Sequence, residues 1–198
     1  MRDRFVGRTD IPLAPEGAEQ ARALARLLPA LQPGRCVASP LMRAQETARL
    51  LVEPIGLGVE TDPDLREVDF GAWEGKTFQE VRAADPAGVE RLENLSGGFV
   101  CPGGESLEQF SARVRGVADR LTAHPSEVVL AVTHGGVIRA LLCHVLGLGL
   151  SHFRCFHVAY ASLTTLTLFG GRGVLTGLNL TAAGPLTGGS RPLATETR

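Results

Sequence analysis

The sequence predicts an α/β fold: three layers, with a mainly parallel central sheet and helices on both faces. Three observations carry that expectation. Val128 to Val132 is continuously apolar and rich in β-branching, which suits a strand covered on both faces. It stops at Thr133-His134-Gly135-Gly136, where two glycines permit a sharp turn, and a helical pattern then resumes. A second strand-to-helix passage lies earlier, at Arg35 to Ser39 running into Pro40, so strands alternate with helices as in βα units.

Taken in order, the first dozen residues are polar and turn-like, with Pro12 and Pro15 excluding a buried strand. Pro15-Glu16-Gly17 opens a helix whose apolar stripe is Ala21, Leu24, Ala25 and Leu28, ending near Pro29. After the strand from Arg35, Ser39 is placed to cap a helix whose first position is Pro40. Val59 to Thr61 reads as a short strand, and Leu65 to Gly75, which has no clean period and holds Trp73, reads as a loop forming a site wall rather than scaffold. Thr77 to Ala84 is a short helix, Asp85 to Pro102 is mostly loop, and Ser106 with Gln109 makes a capping box for a helix carrying Leu107, Phe110, Val114, Val117 and Leu121 on one face. Beyond the helix Val137 to Leu146, two strands, Ala161 to Phe169 and Val174 to Thr181, form a hairpin-like end. One domain spans residues 1–182, and the Gly, Pro, Ser and Thr content of 183–198 predicts a flexible tail.

A net charge of −1 and the lack of any basic block exclude nucleic acid and anionic membranes as expected partners. The first residues lack the apolar core of a secretion signal, and no apolar run could span a bilayer, so the expected location is the cytoplasm. Cys36, Cys101, Cys143 and Cys155 are scattered, which fits reduced thiols. Cys143, His144, His152, Cys155 and His157 match no common zinc spacing, so no metal site is expected.

His134 stands where the central strand gives way to a helix, the edge of an open α/β sheet where ligands bind and where helix N–H groups favour anions. Arg43 follows another strand end, Glu67 lies in the tryptophan-bearing loop, and Gly7-Arg8-Thr9 is near the start. Alone, each is an ordinary surface or turn residue. Together they offer a guanidinium to pair with a phosphoryl group, an imidazole to hold it and a carboxyl to protonate a leaving oxygen. That is a toolkit for phosphoryl transfer without a metal.

The same stretches carry a resemblance. Gly7-Arg-Thr-Asp-Ile-Pro-Leu13, Ser39-Pro-Leu-Met-Arg-Ala-Gln-Glu-Thr-Ala48, Leu65-Arg-Glu-Val-Asp-Phe-Gly-Ala-Trp-Glu-Gly75, Gly103-Gly-Glu-Ser106 and Thr133-His-Gly-Gly-Val-Ile-Arg139 occur in the order found in the histidine phosphatase superfamily, which includes cofactor-dependent phosphoglycerate mutases and α-ribazole phosphatases. The resemblance implies a phosphoglycerate mutase-like fold and a phosphohistidine intermediate. It makes Arg43 a phosphate clamp, Glu67 the general acid and base, and His134 the histidine that stabilises the phosphoryl group, with Thr9 and Gly135 lending hydrogen bonds. Arg66, Asp69 and Glu74 are left as structural partners. The short span between Glu67 and His134, with Trp73-Glu-Gly75, resembles the phosphatase branch more than the mutases. The implied partner is a small phosphorylated metabolite, α-ribazole phosphate among them, with no cofactor and with a homodimer as one open assembly. A mutase and a non-catalytic phosphate-ester binder are the competing readings.

One departure bears on the chemistry. The family's nucleophile is the histidine of an Arg-His-Gly motif ending the first strand, and this sequence shows neither that motif nor an apolar strand before Gly7. A start site assigned too far downstream, or a shortened chain, is the expected explanation. As written, the chain is expected to show little turnover, and its sheet to have two unpaired edges where a central strand belongs.

Overall fold

The computed structural model describes residues 4–94, 99–123, 128–169, 172–182 and 184–185. Its centre is a parallel sheet of three strands, β1 (Arg35–Ala38), β2 (Val59–Thr61) and β3 (Val129–Val132), in the order β2-β1-β3. β1 alternates across the sheet. Cys36 and Ala38, with Leu130 and Val132 of β3, pack against α1 (Pro15–Ala25), α2 (Leu28–Leu31) and α3 (Met42–Val52). Val37 and Val129 face α6 (Leu107–Thr122) and α7 (Gly135–Val145) through Phe110, Val114, Val117, Val137 and Leu141. Helices thus cover both faces as expected, and burying each large side chain contributes about 1.5–3 kcal/mol. Both strands of the β1–β3 pair run the same way, so the chain ends that follow them, at Ser39 and Thr133, emerge side by side.

A second, antiparallel sheet contains β4 (Leu163–Phe169), β5 (Arg172–Thr181) and β6 (Gly184–Pro185), with Leu166 and Leu168 packed on the same core as α6 and α7. Among the described residues no ladder joins β3 to β4, and the edge of β3 away from β1 is paired with no other described strand. No helix among them is long and apolar enough to cross a membrane.

Several local expectations change. α3 begins at Met42 rather than Pro40, and Ser39 does not cap it; the Met42 N–H is instead met by the Asp10 carboxylate at 2.7 Å. The first helix ends at Ala25, and Pro29 lies inside the short α2. The segment from Asp85 is not all loop, because α4 (Phe78–Ala84) is followed directly by α5 (Pro86–Glu93), with Asp85 accepting from Gly88 N–H at 2.8 Å. Trp73 is scaffold rather than site wall: it is 3% exposed, in a small core with Val81, Val89, Phe99 and Cys101. Gly184 and Pro185 pair with β5, while the rest of the expected tail, like His124, lies outside the described residues.

Candidate active site

β3 delivers His134 to the N-cap position of α7, where it is 9% exposed. Its Nε2 lies 2.8 Å from the hydroxyl of Ser39, which is fully buried at the end of the neighbouring β1. The parallel register makes this pair, since Ser39 N–H also donates to the Val132 carbonyl at 2.9 Å. Burial, reinforced by the positive charges of Arg43 and Arg113, drops the pKa of His134 to about 3. The imidazole is therefore neutral near pH 7, and an arriving phosphate dianion would oppose the two cations that help keep it so.

Glu67 follows a tight turn at Pro63–Leu65 and points its carboxyl at the start of α7. Its Oε1 accepts from Val68 N–H at 3.0 Å and its Oε2 from Gly136 N–H at 2.9 Å. A side chain at 136 would displace that carboxyl, because a Cβ there would stand 2.3 Å from Glu67 Oε1. Burial pushes the carboxyl above the ordinary range, opposed by those two N–H groups and by Arg43 and Arg139. A carboxyl so placed is suited to give up a proton in the site.

Arg43, one residue into α3, turns its guanidinium onto the loop before α1, donating to the carbonyls of Gly7 at 2.7 Å and Thr9 at 2.9 Å. Burial lowers its pKa, while Glu67, Asp10 and Glu74 favour the charged form. The loop is held from below by Glu74, whose carboxylate accepts from the N–H groups of Gly7, Arg8 and Thr9 and from the Thr9 hydroxyl. Burial alone would raise the pKa of Glu74, but this cradle of donors brings it below the ordinary carboxylate range. Thr9 thus reaches the site through its carbonyl on Arg43, its hydroxyl being engaged by Glu74. Gly135 opens α7 with no atom within 4 Å of where a Cβ would be.

The structure therefore gathers Arg43, Glu67 and His134 into mutual electrostatic range, with Gly135 beside His134 and Thr9 against Arg43. Sequence reasoning passed over Ser39 as a partner of His134 and Gly136 as a partner of Glu67. Their signals were present: a serine ending a strand beside another strand end, and a second glycine where one suffices for the turn. Among the described residues no group of three or more His, Cys, Asp or Glu could hold a metal. His144 lies near Asp119 instead, at 3.9 Å.

Comparison with known proteins agrees with this geometry. The profile described as histidine phosphatase superfamily (branch 1) matches residues 1–181. Phosphoserine phosphatase 1 of Hydrogenobacter thermophilus is 31% identical over 179 residues, covering 90% of this chain and 85% of that protein. A bifunctional protein of Mycobacterium tuberculosis is 38% identical over 165 residues, 81% of this chain but 44% of the relative. The crystal structure of the α-ribazole phosphatase from Shigella flexneri superposes with a TM-score of 0.80 at 28% identity, covering 89% of this chain and 88% of that one.

Proposed function

The chain belongs to the histidine phosphatase superfamily (branch 1), and from that premise we propose that it is a phosphatase acting through a phosphohistidine on a small phosphorylated metabolite. The observation that carries this reading is the meeting of a guanidinium, a neutral imidazole and a carboxyl of raised pKa at the carboxyl ends of two parallel strands. Arg43 would exchange its bonds to the Gly7 and Thr9 carbonyls for bonds to phosphoryl oxygens. His134 would hold a non-bridging oxygen. Protonated Glu67 would give its proton to the ester oxygen as the P–O bond breaks, and later take one from the water that releases phosphate.

The covalent step calls for a second imidazole as nucleophile, whereas the His134 ring meets the Ser39 hydroxyl and the rings of His144 and His152 make their contacts with Asp119 and Gly149. A strand laid parallel along the free edge of β3 would end level with His134 and could present one there. α-Ribazole phosphate and phosphoserine are the substrates to try first, given what the similar proteins are named for.

The test is release of inorganic phosphate from α-ribazole 5′-phosphate, phosphoserine and 3-phosphoglycerate. It is run on this chain and on the protein that begins wherever the reading frame opens upstream of the Met1 codon. Release accompanied by an acid-labile, base-stable phosphoprotein supports the phosphatase. If 3-phosphoglycerate instead returns an isomer with the phosphate retained, the protein is a mutase. Saturable binding without release from either form leaves a phosphate-ester binder.

A further inference from the structure

We infer that Arg113 is a positioning residue for Glu67: a buried guanidinium on α6 that fixes the segment bearing the carboxyl against the start of α7. This rests on the reading of Glu67 as the proton donor. Residues 64–67 form the irregular link to Glu67, and the carbonyls of such a link would ordinarily face water. Here all four are taken. Arg113 donates to Asp64 O at 2.6 Å, Arg66 O at 2.8 Å and, more weakly, Glu67 O at 3.4 Å. Thr133, just before His134, donates its hydroxyl to Leu65 O at 2.7 Å. The backbone around Glu67 is thus tied to α6 on one side and to the end of β3 on the other.

The other donors of Arg113 go to Glu105, through Nε at 2.9 Å and a terminal nitrogen at 2.8 Å, with the two side chains only 11% and 9% exposed. Glu105 clasps the far end of the same segment, since its N–H donates to Asp69 O at 3.0 Å and its carboxylate lies 3.4 Å from Asp69 N–H. The guanidinium also lies 5.2 Å from the centre of the Phe110 ring. A buried pair of this kind is weak evidence for stability, because apolar residues of similar volume often serve a core as well. What an apolar pair could not do is hold three carbonyls and a carboxylate in one planar array, which needs the fork of an arginine rather than the point charge of a lysine. The pair is therefore explained by the placement of Glu67.

The experiment follows the carboxyl of Glu67 by ¹³C NMR titration, its signal identified by loss in Glu67→Gln, and the ring of His134 by ¹⁵N correlation. Neither readout needs turnover. In Arg113→Lys the charge stays but the fork is lost: the Glu67 titration should fall toward the ordinary carboxyl range by about half a unit or more, and that of His134 should hardly move. In the paired Arg113→Met, Glu105→Leu variant, which leaves no orphaned charge, Glu67 should fall further and His134 should rise as one neighbouring cation disappears. An unmoved Glu67 in either folded variant overturns the inference and leaves Arg113 a structural residue. If the paired variant does not fold, the lysine variant decides. Should Glu67→Gln leave phosphate release unchanged while Arg113→Lys still shifts Glu67, the proton-donor reading fails and the positioning role stands.

Discussion

His134 and Glu67 are neighbours whose protonation is displaced in opposite senses by the same burial. The folded pKa of His134, about 3 against an ordinary 6.5, means that between those values the unfolded chain binds a proton the folded chain refuses. Stability from this group rises with pH across that window and is lost as acid protonates the buried ring. Glu67 does the reverse: raised when folded, it keeps a proton that the unfolded chain has released, so above pH 4.5 its contribution falls with rising pH until its own folded pKa is passed. The two partly cancel between pH 4.5 and 6.5. Urea-unfolding midpoints across that interval should rise more steeply with pH in Glu67→Gln than in the parent, and should be flat or falling in His134→Gln. Parallel curves for all three proteins would show that the two groups are not displaced as the structure indicates. The identities of both residues were legible because each stands at a discontinuity in the pattern, one ending an apolar strand and one inside a loop rich in acid and glycine. Arg113 was not legible, since a helix arginine looks the same in sequence whether it faces water or four buried acceptors.

At the scale of the element, the entrance of α7 separates two glycines that the sequence presents as equivalent. Gly135→Ala meets open space and adds a better helix former, so it should leave stability unchanged or raise it by about 0.5–1 kcal/mol. Gly136→Ala drives a methyl group into the Glu67 carboxyl. The chain can escape by turning that flexible carboxyl away, so the melting temperature should change little while any phosphate release measured for the protein falls at least tenfold. Equal effects at the two positions would contradict the contact. Caps follow the same logic of local against distant partners. The capping box of Ser106 and Gln109 was readable because both members are three residues apart, and Ser106→Ala should cost about 1 kcal/mol in chemical denaturation. The cap of α3 was not readable, because its acceptor, Asp10, is 32 residues away and only the fold brings it to Met42. α5 was missed for another reason: Asp85, Pro86 and Gly88 are loop cues in isolation, yet here they are a cap, a first-turn proline and a glycine packed on the capping carboxylate.

At the scale of the whole molecule, the second sheet packs on both helix layers of the first, through Leu163 on the side of α1 to α3 and through Leu166 and Leu168 on the side of α6 and α7. α6 and α7 pack on β1 and β3 and share the same core with Leu166 and Leu168 of β4, but the sheets exchange no ladder among the described residues. Among the described residues the packing they share across that seam is apolar. The register of β4 on β5 also shifts twice between Leu163 and Leu166, and most of the hairpin is only partly buried. β1, laddered on both edges and almost wholly buried, has no such weakness. Native-state hydrogen exchange in low urea should accordingly resolve two cooperative units, with β4 and β5 opening at lower free energy than β1 and with a smaller dependence on denaturant. A strand seated along β3 and hydrogen-bonded to both edges would convert the seam into a continuous sheet. With such a strand added, β4 and β1 should open together, and the amides of β3 that point away from β1 should be newly protected. If β4 already opens together with β1 in this chain, the helices alone couple the two sheets, and the free edge of β3 loses its standing as the place where a nucleophile would be presented.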